Sequence, residues 1–272
     1  MPVADVPMAE LNRLGLYFAL RRLDAGDESS TRPFLPARGL LADPAALDAW
    51  LAPTAERLDA DDPLVVASTA QLDWATRLVS IHAASVELAG VAPDLAADRV
   101  SYRFGFGPAE LAVDDVVALD PATSWRRLWD DHLEPLAAVL RERANLTMRL
   151  ARGNVASALA SSLTALFRED VAPYADLVAR PWASPPELDG LGSWYVGSEG
   201  LPRFRRTTCC LYEKIPGAPR CGDCSLVGAD NDHSHDDEHG HGHDHTHDGE
   251  HHHDHDHSHD GDHGHDHDHG HG

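Results

Sequence analysis

The 272 residues carry a formal charge of −23, but eighteen of the twenty histidines and fourteen of the 45 acidic residues lie beyond position 228, where no Lys or Arg occurs. The remainder has 22 cations against 31 anions, a net −9, and no basic cluster larger than Arg203, Arg205 and Arg206. That balance argues against nucleic-acid binding, which draws most of its affinity from phosphate neutralisation, and against anionic membranes. No run of 18 apolar residues is available for a membrane span. The opening MPVADVPMAELNRL lacks the basic and then apolar pattern of a secretory leader, so the chain is expected to be cytoplasmic, where thiols stay reduced.

In chain order, apolar residues at helical spacing predict a first helix over residues 7–23. Asp43 ahead of Pro44 is a capping carboxylate before a first-turn proline, with Leu47, Trp50 and Leu51 recurring on one face, and predicts a helix over 44–58. Further helices are expected over 64–88, 124–143 and 155–167, the last capped by Asn154 after Gly153. Residues 99–106 and 110–117 are β-branched or aromatic enough to form an antiparallel hairpin around Gly107 and Pro108. The expected fold is mainly α (α+β), a helical body over 1–180 with one small hairpin. A Pro- and Gly-rich connection over 181–203 leads to a cysteine module over 204–227. The His- and Asp-rich tail over 228–272 has nothing with which to build a core and is expected to be disordered.

All four cysteines fall in that module, Cys209 and Cys210 adjacent, then ten residues, Cys221, two residues, and Cys224. Such clustering in a reducing compartment is a metal-site signature rather than a disulfide or packing one. Gly222 lets the Cys221 to Cys224 turn curl around one metal. Neighbouring cysteines on a regular strand would point to opposite faces, so Cys209 and Cys210 can both ligate only if the backbone bends there or the site holds more than one metal atom. Spacing alone leaves structural zinc and a two-iron cluster both open.

The run Arg206-Thr207-Thr208-Cys209-Cys210-Leu211-Tyr212, with Cys221-Gly222-Asp223-Cys224, closely resembles the C-terminal iron–sulfur module of FhuF-like ferric siderophore reductases, including the ten-residue and two-residue intervals. Upstream, WDDHLEPL from Trp129 and RGNVASAL from Arg152 are similar to that family's helical region, although the family often has an aromatic residue where Arg152 stands. LGLYF from Leu14 is similar to actinobacterial members. The resemblance covers residues 8–226 and excludes the tail. It implies a siderophore-reductase-like body and a [2Fe–2S] cluster on Cys209, Cys210, Cys221 and Cys224, passing one electron to Fe(III) in a hydroxamate-type siderophore. Hard oxygen chelators hold Fe(III) far more tightly than Fe(II), so reduction releases the metal. No Gly-rich nucleotide fingerprint opens a helix after a strand, Gly105 and Gly107 included, so electrons are expected from an external ferredoxin or flavoprotein.

Arg203, Arg205 and Arg206 either stabilise a reduced cluster or form a solvated strand face. His82 and His132 read as packing residues within helices. Trp182, Trp194 and Tyr195 read as the packing that docks the module, with a pocket wall as the other possibility. The tail, with His241, His243, His245, His251, His252, His253, His255 and His257 among its imidazoles, is expected to bind Zn, Ni, Co or Cu weakly at several exchanging sites. The rival function is therefore a metal-storage protein, in which the module is a structural zinc site and the tail buffers Zn, Ni or Co.

Overall fold

Proline-led helix starts, each preceded by an aspartate, organise much of the chain. The computed structural model describes residues 5–24, 32–104, 108–197 and 200–226, so Gly105, Gly107 and the tail histidines lie outside the described residues. Asp43 accepts the Ala45 amide proton at 2.9 Å and starts α3 (Pro44–Leu58), following α1 (Met8–Arg13) and the single turn α2 (Gly39–Ala42). Asp62 caps α4 (Pro63–Ala89), which ends at Gly90 in the left-handed region, φ 71°. Asp120 caps α5 (Pro121–Leu128), a π-helical turn follows over Trp129–Leu133, and α6 (Glu134–Ala144) ends at Asn145 with φ 58°. Pro135 has no amide proton for the carbonyl four residues back, and widening the turn ahead of it accommodates that loss. Thr147 caps α7 (Met148–Arg168), and α8 (Tyr174–Val178) is the last α-helix among the described residues.

Two expectations need correction. The first helix stops at Arg13 instead of continuing to residue 23, because Gly15 turns the chain at φ 104° and Asn12 Oδ1 accepts the Leu20 amide proton at 3.1 Å. That turn aims β1 (Arg21–Arg22) into a sheet. Gly153 and Asn154 are likewise no helix boundary. Both lie inside α7, which begins seven residues earlier than expected.

The sheet has the order β1-β5-β4-β2, where β2 is Leu35–Pro36, β4 is Val100–Arg103 and β5 is Glu110–Val113. The predicted hairpin is its centre, β4 and β5 pairing antiparallel with Val100 opposite Val113 and Arg103 opposite Glu110. β1 runs parallel to β5, and a separate antiparallel pair joins β3 (Ala92–Pro93) to β6 (Ala118–Leu119). The fold is thus mainly α with small β elements. Among the described residues no helix is long and apolar enough to cross a membrane.

α4 is buried along most of its length and packs against α7, where Ser80 Oγ meets Ser162 Oγ at 2.8 Å. His82 and His132 are wholly buried beside this core, His82 Nδ1 facing Ser124 Oγ at 3.1 Å and His132 Nε2 facing the Leu95 carbonyl at 2.6 Å. Burial pushes both imidazoles down to about 4, so they are neutral packing residues. The last element pair is the antiparallel hairpin of β7 (Gly192–Val196) and β8 (Pro202–Arg206), with Trp194 opposite Phe204. Trp194 bridges Tyr174 at 5.5 Å and Phe204 at 4.9 Å between ring centroids, fixing the hairpin on the helices.

Candidate thiolate site and adjoining cleft

β8 ends at Arg206 and the backbone bends at Thr207 and Thr208, so Cys209 and Cys210 do not occupy a regular strand. Leu211 follows in the left-handed region at φ 69°, uncommon for a side chain of that kind, and its amide proton is donated to Cys209 Sγ at 3.3 Å. This is the bend that two adjacent ligands require. Ser68 Oγ on α4 donates to the Cys210 carbonyl at 2.7 Å and pins the bend from below. On the other side the Cys224 amide donates to the Cys221 carbonyl at 3.1 Å, closing a turn, and the Arg206 amide donates to the Asp223 carbonyl at 3.1 Å. Ser157 Oγ on α7 donates to the Asp223 carboxylate. The Cys209–Cys210 bend is therefore tied to α4 and the Cys221 to Cys224 turn to α7.

None of the four cysteines is in a disulfide; Cys210 and Cys224 are buried, Cys209 and Cys221 half-buried. Cys210 Sγ and Cys221 Sγ lie 3.5 Å apart. Cys209 and Cys221 each lie near enough to Cys210 and Cys224 to feel them electrostatically. Among the described residues, no three or more His, Cys, Asp or Glu side chains are drawn in closely enough to hold a metal ion as they stand. The donor chemistry nevertheless fits a thiolate-bound centre. Two thiolates on one tetrahedral metal at about 2.3 Å would be separated by about 3.8 Å, close to the Cys210 to Cys221 spacing.

The contact with the Cys221 thiol, helped by the Tyr212 amide and the nearby Arg206 guanidinium, lowers Cys210, against burial and Asp223. Holding that proton against the Cys210 thiolate pushes Cys221 upward, as do burial and Asp223. Burial chiefly raises Cys209, which the Leu211 amide partly opposes. The thiolate is the form that binds metals, and the contact with Cys221 favours it at Cys210.

Gly153 and Asn154 acquire roles that local sequence did not disclose. A Cβ on Gly153 would sit 2.0 Å from Thr208 Oγ1 and 3.2 Å from Thr208 Cβ, so only glycine lets the cysteine segment approach α7 this closely. Asn154, fully buried, donates through Nδ2 to the Ser68 carbonyl at 3.0 Å and to Gln71 Oε1 at 2.8 Å, and its Oδ1 accepts from Arg206 Nη2. Gln71 Nε2 donates to the Ala151 carbonyl at 3.3 Å. The available signal was the placement of Ser68, Gln71 and Asn154 on otherwise apolar helices, since buried polar groups are there to be partnered. Arg152, the departure from the resembled family, grips Glu134 of α6 with two hydrogen bonds, at 2.6 and 3.2 Å.

Beside the cysteines opens a cleft of about 870 Å³. Cys210 and Cys221 line it, and α4 and α7 contribute a wall of small hydroxyls that includes Thr69, Thr76, Ser157 and Ser161. Thr69 Oγ1 is buried without a partner. Arg57, Arg168 and Arg220 also border the cleft, with Asp73, which accepts from the Tyr17 hydroxyl at 3.3 Å. Burial raises the Asp73 carboxyl. The pocket-wall alternative for Trp182, Trp194 and Tyr195 is not where the cleft lies; its aromatic lining includes Tyr17, Phe167, Phe204 and Tyr212. No model of a known protein family matches this chain, and no curated protein matches it.

Proposed function

We propose that the chain is a cytoplasmic ferric-siderophore reductase in which Cys209, Cys210, Cys221 and Cys224 hold a [2Fe–2S] cluster. The observation that carries this reading is the shared border: two of the four clustered thiols, Cys210 and Cys221, line a cleft large enough for a drug-sized ligand. The resemblance of the cysteine segment to FhuF-like reductases supplies the cluster type and the substrate class. When bound, such a cluster supplies one electron at a time, received from an external ferredoxin or flavoprotein.

The residues of the chain do the rest. The cleft hydroxyls, the exposed Ser161 foremost, offer donors to the oxygens of a hydroxamate-type chelate, and the aromatic residues cover its apolar backbone. A chelate seated there abuts the cysteine turn, which keeps the path for the electron short. Ser68 and Ser157 hold the two halves of that turn against the cleft floor. Fe(III) accepts one electron, its chelate loses affinity, and Fe(II) leaves for another ligand.

Anaerobic purification tests the reading. The protein should be red-brown with about two irons and two sulfides per chain, as four thiolates on a two-iron cluster require, and Cys221→Ser should abolish the colour. A colourless protein with one stoichiometric zinc would instead favour metal storage, for which the same thiols are adequate ligands.

A further inference from the structure

Arg206 is the largest unexplained charge in the interior. Only 2% of it is exposed, yet among the described residues no carboxylate pairs with it. Nη2 donates to Asn154 Oδ1 and to Thr208 Oγ1 at 3.3 Å, while Nε and Nη1 have no partner. A buried guanidinium is tolerated when an anion or a full set of acceptors faces it, and this one has neither among the described residues. Asp223, the nearest acidic residue in sequence on the facing turn, gives its carbonyl to the Arg206 amide and its carboxylate to Ser157.

The position of Arg206 is fixed from two directions. Its main chain is bonded to the Cys221 to Cys224 turn through Asp223, and its side chain is held by Asn154, which also contacts Ser68, the residue that pins the Cys210 carbonyl. Arg206 also lies outside the cleft lining, and its charge acts electrostatically on Cys210, one of the clustered thiols. Its neighbour Arg205 differs: it is partly exposed and stacks over the Tyr195 ring at 4.7 Å.

We propose that Arg206 is the fixed counter-cation of the thiolate centre, its Nε–H and Nη1–H available to the sulfur ligands, and that it raises the reduction potential of the group those ligands hold. The inference rests on the cluster reading above. Four thiolates give the centre a net negative charge that grows when an electron is added, so a cation in a water-poor interior favours the reduced form. A solvated arginine at the strand edge contributes far less because water and salt screen it. Arg206 acts through its charge as a positioning and tuning residue; it does not itself carry the electron.

The test is a mediated redox titration of the full chain, purified anaerobically and followed by paramagnetic resonance of the reduced cluster. Arg206→Gln should shift the oxidised-to-reduced ratio at a given poise at least tenfold towards oxidised, about 59 mV for a one-electron couple. Arg206→Lys, which keeps the charge, should shift it less than threefold, and Arg205→Gln should leave it unchanged. A wild-type midpoint in Arg206→Gln, or an equal fall in Arg206→Lys, overturns the proposal. If only Arg206→Gln fails to assemble a cluster while Arg206→Lys keeps the wild-type midpoint, the requirement for charge stands. Failure of both to assemble would assign Arg206 to docking and overturn the proposal. Wild-type protein that is colourless and zinc-loaded would refute the cluster reading itself, an outcome distinguishable from all of these.

Discussion

Replacing Gly153 by alanine sets two effects of similar size against each other. In the interior of α7, Gly→Ala gains about 1 kcal/mol of helix propensity. The new methyl, however, would lie 2.0 Å from Thr208 Oγ1 and 3.2 Å from Thr208 Cβ. Rotating the Thr208 side chain relieves the first contact but not the second. Carbon atoms pack comfortably at about 3.5–4.0 Å, so the cysteine segment must withdraw by roughly half an ångström. Overpacking of this kind costs about 1–3 kcal/mol, leaving global stability within about 2 kcal/mol of the wild type. The effect should therefore appear in the site rather than in the melting curve. In metal-free protein the buried Cys210 should be alkylated about tenfold faster, and iron retention should fall several-fold, while the far-ultraviolet spectrum is unchanged. Wild-type alkylation and iron content in Gly153→Ala would refute the close-approach argument.

Asn154→Ala should destabilise by about 2 kcal/mol in urea unfolding, since it strands the Arg206 and Gln71 polar groups; at an exposed helical position the same change would stabilise slightly. His82 and His132 have pKa values depressed to about 4 by burial, so the unfolded chain binds more protons between about pH 6.5 and 4. Stability should thus be lost as pH falls through that window, by up to about 3 kcal/mol per histidine. Urea midpoints measured with His132→Gln should show a shallower slope there, and an unchanged slope would count against buried neutral imidazoles. Truncation after Val227 should leave ferric reduction by the body at the full-length rate. The isolated tail peptide should retain Zn(II), Ni(II) or Co(II) in preference to Fe(II), more weakly towards about pH 5.5 as its imidazoles protonate. Tighter retention of Fe(II) than Zn(II) would reverse that assignment.

Local signals located the elements whose ends are chemically marked. Asp43 with Pro44 marks the start of α3, which spans Pro44–Leu58 as expected, and β4 with β5 forms the anticipated hairpin. They failed where a distant segment decides the outcome. The residues after Arg13 have helical spacing, but the parallel partner at Ala112 and Val113 recruits Arg21 and Arg22 into a strand. Gly153-Asn154 carries the composition of a helix start, yet its glycine exists to admit Thr208 and its asparagine to satisfy Arg206, both more than fifty residues away. The cysteine spacing disclosed the thiol cluster. Which arginine is buried beside it, and which helical hydroxyls form the adjoining wall, depends on how α4 and α7 cross, and no short-range pattern encodes that.

The two anchors of the cysteine turn bear on how the protein is made. Ser68 lies 142 positions before the Cys210 carbonyl it holds, and Ser157 lies 66 before Asp223. During vectorial synthesis both helices emerge ahead of the thiols, so the template on which the cysteines close exists before they do. Contacts this remote in sequence form late, because chain closure must be offset before they contribute. A nascent chain would therefore present reduced, open thiols to solvent only after the helical seat is complete. A circular permutant that begins at residue 200 reverses this sequence, and its cysteines would be exposed to adventitious metals and oxidants before any seat had formed.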